Sequence, residues 1–194
     1  RDILGSFIKE ERFKDLKKIN EKEINLSKIL DTCSIKYFAP ADASKTNISN
    51  SFIDFYISYN VLEHVPYLSI VSIINEGLKI LKTDGLMIHY IDYSDHFSHD
   101  DKKISSINFL KYSQNVWDII ANNRFMFMNR LRNDDFIKLF KSNKLKILDN
   151  TTFSDINISE EIKCGKITIN KQFKNKSAKV LSIVNAWFVM KKEN

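Results

Sequence analysis

Proline and glycine are scarce, with 2 Pro and 4 Gly in 194 residues. Loops must therefore be built from Asn, Asp, Ser and Lys, and collagenous or Pro-rich low-complexity chains are excluded. Cysteine is as rare. Cys33 and Cys164 are too few for a disulfide framework or a metal knuckle, so free thiols in a reducing compartment are expected. No apolar run approaches the length of a membrane span, and no signal-peptide pattern is present. The expected location is cytoplasmic, with no membrane span.

Arginine stripes with interleaved aromatics are also missing, and with them the usual mark of a nucleic-acid path. The 30 Lys and Arg against 24 acids leave a formal charge of +6. Apart from clusters at Lys14–Lys18, Lys138–Lys146 and Lys171–Lys179, the lysines are scattered. That describes a solvated surface, and nucleic acid is not an expected partner. Hydrophobic residues at 43% suffice for one substantial core, so residues 1–194 are read as a single domain.

Residues 6–30 carry Phe7, Ile8, Phe13, Leu16, Ile19 and Ile24 at helical spacing. Ile35–Phe38 is a short strand candidate stopped by Ala39-Pro40, and 42–51 is a polar loop. Phe52–Tyr59 is almost continuously apolar, which predicts a strand buried on both faces of a parallel sheet. A helix is predicted over 67–82, closed by Lys82-Thr83-Asp84-Gly85 with Gly85 as a left-handed cap. A second buried strand follows over Leu86–Tyr93, then a polar, irregular stretch from Ser94 to Asn108. Helices are predicted over 109–123 and 133–143, the latter with Asn133 as N-cap. Strands are predicted at Leu145–Leu148 and Val180–Met190. This alternation argues for an α/β layered sheet.

In open α/β sheets, chemistry gathers beyond the carboxyl ends of the strands. There the chain has Ala39-Pro40-Ala41-Asp42-Ala43, then Ser58-Tyr59-Asn60-Val61-Leu62-Glu63-His64-Val65, then His89-Tyr90-Ile91-Asp92-Tyr93-Ser94-Asp95-His96. Together with Leu81-Lys82-Thr83-Asp84-Gly85, this succession resembles the later motifs of class I S-adenosylmethionine-dependent methyltransferases. The stretch 35–131, with the Asn129-Arg130-Leu131-Arg132 motif at its end, is similar to a bacterial subgroup associated with polysaccharide and cell-surface glycan clusters.

The resemblance implies a Rossmann-like α/β methyltransferase sheet with flanking helices, and S-adenosylmethionine as cofactor. It places Asp42 and Ala43 at the adenine, and Ser58, Tyr59 and Asn60 at the cofactor's methionine end. The glycine-rich loop after the family's first strand has no match, so the opening strands are expected upstream of Arg1. The implied activity is methyl transfer to an oxygen or nitrogen nucleophile, with a small-molecule, sugar or lipid-linked glycan acceptor.

Several residues admit two readings. Asp42 suits a cofactor contact or a turn. His64 suits a general base or a residue that orients its loop; His89 and His96 are the other base candidates. His89, Asp92, Asp95, His96 and His99 are expected to wall a substrate site with one base and no resident metal. A divalent metal site, or a loop held by Asp turns, are the competing readings. Asn129, Arg130 and Arg132 are expected at the substrate, since paired Arg favour bidentate anion recognition. The alternative for the arginines is a salt-bridged junction with Asp134 and Asp135. Phe125–Met128 is read as core.

Two other functional classes compete. One is a non-catalytic interaction domain whose open sheet edge is covered by the first helix or by a second copy in a homodimer. The other, a NAD enzyme, lacks any dinucleotide fingerprint here.

Overall fold

The computed structural model describes residue 14 and residues 25–101, 103–123 and 126–193. They divide into two compact units, the first ending at Asp42 and the second beginning at Ala43. Most of the expected 6–30 helix lies outside the described residues. In the first unit, helix α1 (Leu26–Cys33) is capped by Asn25, whose side chain accepts from the Lys28 amide. The strand expected at Ile35–Phe38 does not form. Ile35, Tyr37 and Phe38 are exposed, and without a ladder an apolar run of this length gains nothing from extension.

The second unit is built on a four-stranded sheet in the order β1-β2-β6-β5. Strands β1 (Ile53–Tyr59) and β2 (Leu81–Asp92) are parallel, with Ser58 opposite His89 and Tyr59 opposite Tyr90. Strand β6 (Ile183–Lys192) runs antiparallel to β2 and to β5 (Leu145–Ser154). Helix α2 (Tyr67–Ile80) connects β1 to β2 and buries Ile70, Ile74, Gly77 and Ile80, one stripe at helical spacing.

Between β2 and β5 lie α3 (Phe97–Asp100), α4 (Gln114–Ala121), the two-residue strands β3 (Asn122–Asn123) and β4 (Met126–Phe127), and α5 (Asn133–Ser142). Helix α6 (Ile156–Lys163) and the single turn α7 (Ala178–Leu181) join β5 to β6. One core lies between the sheet, α2 and α5, around Ile70, Ile74, Met87, Phe136, Phe140 and Phe188. A second gathers Ile107, Phe109, Leu110, Trp117, Met128 and Leu181 beyond the strand ends.

Further sequence expectations need correction. Helix α5 is capped by Arg132, and Asn133, the expected cap, is its first helical residue. Strand β1 is not buried on both faces, because Phe55, Ile57 and Tyr59 are all more than half exposed. It is an edge strand of the described sheet, and no described helix of the second unit covers that face. Gly85 is not a helix cap either. Helix α2 ends at Ile80 with Leu81 already extended, and Gly85 lies within β2. A Cβ there would stand 2.7 Å from Leu81 Cδ1 and 3.0 Å from the Asp54 carbonyl oxygen, so close approach excludes a side chain. Finally, the predicted 109–123 helix is two pieces, a 3-10 turn at Asn108–Lys111 and α4.

Candidate active site

Parallel pairing brings the carboxyl ends of β1 and β2 to the same edge of the sheet. After Tyr59 the chain turns at Asn60, whose left-handed φ of 52° suits Asn better than most residues. Leu62–His64 then forms a single 3-10 turn. Two backbone bonds alone would hold such a turn poorly. Asn129 supplies the rest: its Nδ2 donates to the Leu62 and Val65 carbonyls at 2.8 and 2.9 Å, and its amide donates to the Glu63 carbonyl. His64 Nδ1 lies 2.9 Å from the Phe127 carbonyl. A carbonyl only accepts, so Nδ1 carries the proton and the neutral ring keeps its lone pair on Nε2.

From β2 comes the second half of the cluster. Asp92 Oδ1 accepts from the Ser94 amide and hydroxyl at 2.8 and 2.6 Å. That hydroxyl has spent its proton, so at 2.8 Å it accepts from His99 Nε2. His96 Nε2 stands 3.6 Å from Asp92 Oδ2, a charge attraction too long for a hydrogen bond. The His64 and His96 ring centroids are 4.8 Å apart, and those of His96 and His99 are 4.7 Å apart.

The electrostatics follow from this packing. Asp92 raises the His96 pKa above its ordinary value, outweighing partial burial. Burial pushes the Asp92 carboxyl up, but His96 and Ser94 hold it down, and its pKa settles below the usual value. Glu63 is 2% exposed, and burial raises its pKa although its own backbone amide, His64 and His96 pull the other way. Neither Glu63 oxygen, nor His96 Nε2, has a hydrogen-bond partner among the described residues. Glu63, His64 and His96 each bring one ligand atom within 4.8 Å of the others, as do Asp92, His96 and His99.

A polar cavity of about 760 Å³ opens beside this cluster, lined by Asp92, Ser94, His99, Lys103, Asp155 and Glu161 among others. A separate cavity of about 470 Å³, lined by Trp117, Arg130 and Lys176, contains none of the imidazoles.

Other expected site residues are placed elsewhere. His89 is not in the cluster. It is 1% exposed in the core, its ring stacked 5.9 Å from Phe140, and burial lowers its pKa to about 4. Ser58 faces the same side, its hydroxyl 2.7 Å from His89 Nδ1. Tyr59 points the opposite way, exposed and stacked on Tyr90 at 4.6 Å. Asp95 is fully buried; it accepts from the Phe97 amide and from Asn108 Nδ2, and so staples its loop. Asp42 ends the first unit and Ala43 begins the second.

The arginines bind carbonyls, which neither sequence reading anticipated. Arg132 is fully buried, donating to the carbonyls of Tyr93, Leu181 and Ile183. Arg130 donates to the Phe109 and Tyr112 carbonyls and to Gln114, with Trp117 and Phe173 against its guanidinium. Lys176, not an arginine, pairs with Asp134 and Asp135 at 2.7 Å. Met128 is core as expected, Met126 and Phe127 are half-buried, and Phe125 lies outside the described residues.

The fold has solved counterparts. A protein of Bacillus halodurans C-125, a candidate methyltransferase, matches 84% of this chain and 79% of its own length, with TM-score 0.50 and 11% identity. A protein of Pyrococcus horikoshii OT3 matches 90% of this chain and 69% of its own, with TM-score 0.51 and 14% identity. The chain has the α/β fold of Rossmann-like methyltransferases. No family model matches its sequence, and no curated protein sequence does. Identities this low speak to the fold alone. Among the described residues no helix is long and apolar enough to cross a membrane.

Glu63 is the functional candidate that sequence reasoning undervalued. Its signal was present in Leu62-Glu63-His64-Val65, but nothing in one sequence reveals that its carboxylate is buried with no hydrogen bond from another described residue.

Proposed function

We propose that the protein is an S-adenosylmethionine-dependent methyltransferase acting on an oxygen or nitrogen nucleophile, with a sugar or glycan precursor as the first candidate acceptor. One observation carries this reading. In a methyltransferase fold, the Glu63-His64 turn and the Asp92–His99 loop converge beyond the carboxyl ends of adjacent parallel strands.

The chain's own residues fit the cofactor in part. The Asn60 side chain and the exposed Tyr59 ring, at the end of β1, would hold its methionine end. Ser58 fits less well, because its hydroxyl is bonded to His89. Bound there, S-adenosylmethionine would supply a methyl group already made electrophilic by the sulfonium. The protein then needs to align an acceptor, exclude water and take a proton. His64, with its lone pair on Nε2, is the base candidate the geometry favours. His96, held towards its charged form by Asp92, orients or stabilises an anionic acceptor. The polar lining of the 760 Å³ cavity suits a hydroxyl-rich acceptor.

Calorimetry with S-adenosylmethionine tests the reading. Binding is expected, weakened about tenfold by Asn60→Ala, a loss of about 1.4 kcal/mol. His64→Gln should leave that affinity intact while methylation of an active acceptor falls by about a hundredfold or more. The exposed Phe55, Ile57 and Tyr59 favour a second reading, an interaction domain that keeps the sheet without the cofactor. No heat of binding, together with self-association, would select it.

A further inference from the structure

We infer that Glu63, His64 and His96 form a binding site for one divalent first-row transition ion of the zinc, cobalt or iron(II) kind.

Three independent features converge on it. The first is donor chemistry: two imidazoles and one carboxylate, each with an atom within 4.8 Å of the others, match what such ions accept and what magnesium or calcium does not. The second is the state of the ligand atoms. Glu63 is 2% exposed and neither of its oxygens has a hydrogen bond from another described residue; His96 Nε2 is likewise buried without a hydrogen bond, its only ion pair among the described residues being with Asp92 Oδ2 at 3.6 Å. A buried carboxylate with no partner is costly, and a cation between these atoms would satisfy all of them together.

The third is the outer shell. Metal-binding histidines commonly donate their second ring nitrogen to a backbone carbonyl, which fixes the tautomer. His64 does so through Nδ1 to Phe127, leaving Nε2 to ligate. Asn129 fixes the turn itself through three bonds to Leu62, Glu63 and Val65.

A competing trio, Asp92, His96 and His99, is less suited. His99 Nε2 already donates to Ser94, and Asp92 Oδ1 is taken by Ser94 as well. Asp92 Oδ2, 3.6 Å from His96 Nε2, remains within reach of an ion on that nitrogen and offers a fourth ligand. The site is argued without the methyltransferase reading, and an ion on His64 Nε2 would take the lone pair that reading gives to the base. Only its effect on an acceptor, as a positive charge that binds and acidifies a hydroxyl, rests on the reading proposed above.

The test uses untagged, chelator-treated protein titrated with Co²⁺, read by its visible ligand-field absorption and by calorimetry, then repeated with Zn²⁺ and Mg²⁺. One equivalent of Co²⁺ is expected, displaced by Zn²⁺ and not by Mg²⁺. Glu63→Gln and His96→Gln should each weaken binding by more than about tenfold, and His99→Ala should not. Metal-free Glu63→Gln should melt no lower than the parent, which separates a lost ligand from a lost fold. Absence of Co²⁺ binding, or binding unchanged in both Gln variants, overturns the site. So does a thiolate charge-transfer band, which would put the ion on Cys33 or Cys164. S-adenosylmethionine titrated alone, in the same metal-free protein, reports on the methyltransferase reading separately.

Discussion

The histidines divide by burial, and that division carries most of what the sequence withheld at the residue scale. His64, His89 and His96 look equivalent as candidate bases in the sequence, yet β-strand alternation turns His89 into the core while His64 and His96 meet beyond the strand ends. The His89 pKa falls from 6.5 to about 4 because burial disfavours its charged form. The unfolded chain therefore takes up a proton below about pH 6.5 that the folded chain refuses until about pH 4. Stability should fall across that window and level off beneath it, by roughly 3 kcal/mol from this group. Urea midpoints taken between pH 7 and pH 4 check it: His89→Gln should flatten the slope by that amount. An equal slope in both proteins would mean that His89 is not held neutral. Asn129 illustrates the opposite case. The motifs Leu62–Val65 and Asn129–Arg132 were both visible, but that one docks on the other is a fact of tertiary structure.

Elements were read well where periodicity is strong, and poorly where a partner decides. Helix α2 and the strands β2 and β6 were legible, though β2 alternates where a fully buried strand is expected. Strand β1 and the 35–38 run were not, because an apolar run cannot say whether a neighbour will cover or pair with it. Gly85 was noticed for the wrong reason. Its role is contact, not conformation: Gly85 lies so close to the Leu81 side chain and to Asp54 on β1 that a methyl group would meet a backbone oxygen at 3.0 Å. Gly85→Ala should therefore cost about 1 to 3 kcal/mol through overpacking, read as a lower denaturation midpoint. Since the clash also lies on Leu81 Cδ1, the double change Gly85→Ala with Leu81→Val should recover part of the loss. A cap-like role would give no recovery, because trimming Leu81 does nothing for backbone strain.

The two cores give the whole second unit a built-in asymmetry. The sheet core is closed by long ladders and by α2 and α5, whereas the core around Trp117 is assembled from short helices and turns between Ile107 and Leu181. Arg132 ties them, with one buried guanidinium holding the end of β2, the end of α7 and the start of β6. Short elements with few ladder bonds open at lower free energy than central strands. The Trp117 core should therefore loosen before the sheet. The chain's 2 tryptophans report on the two regions: Trp117 lies within the second core, and Trp187 lies on β6 against Tyr59 and Tyr90. With Trp187→Phe leaving only the first probe and Trp117→Phe only the second, Trp117 should report the lower denaturant midpoint. Arg132→Met should widen the gap, since losing the guanidinium strips the Leu181 carbonyl of a donor at the junction. Coincident transitions in both single-tryptophan proteins would show that the carbonyl clamp makes the two cores one cooperative unit.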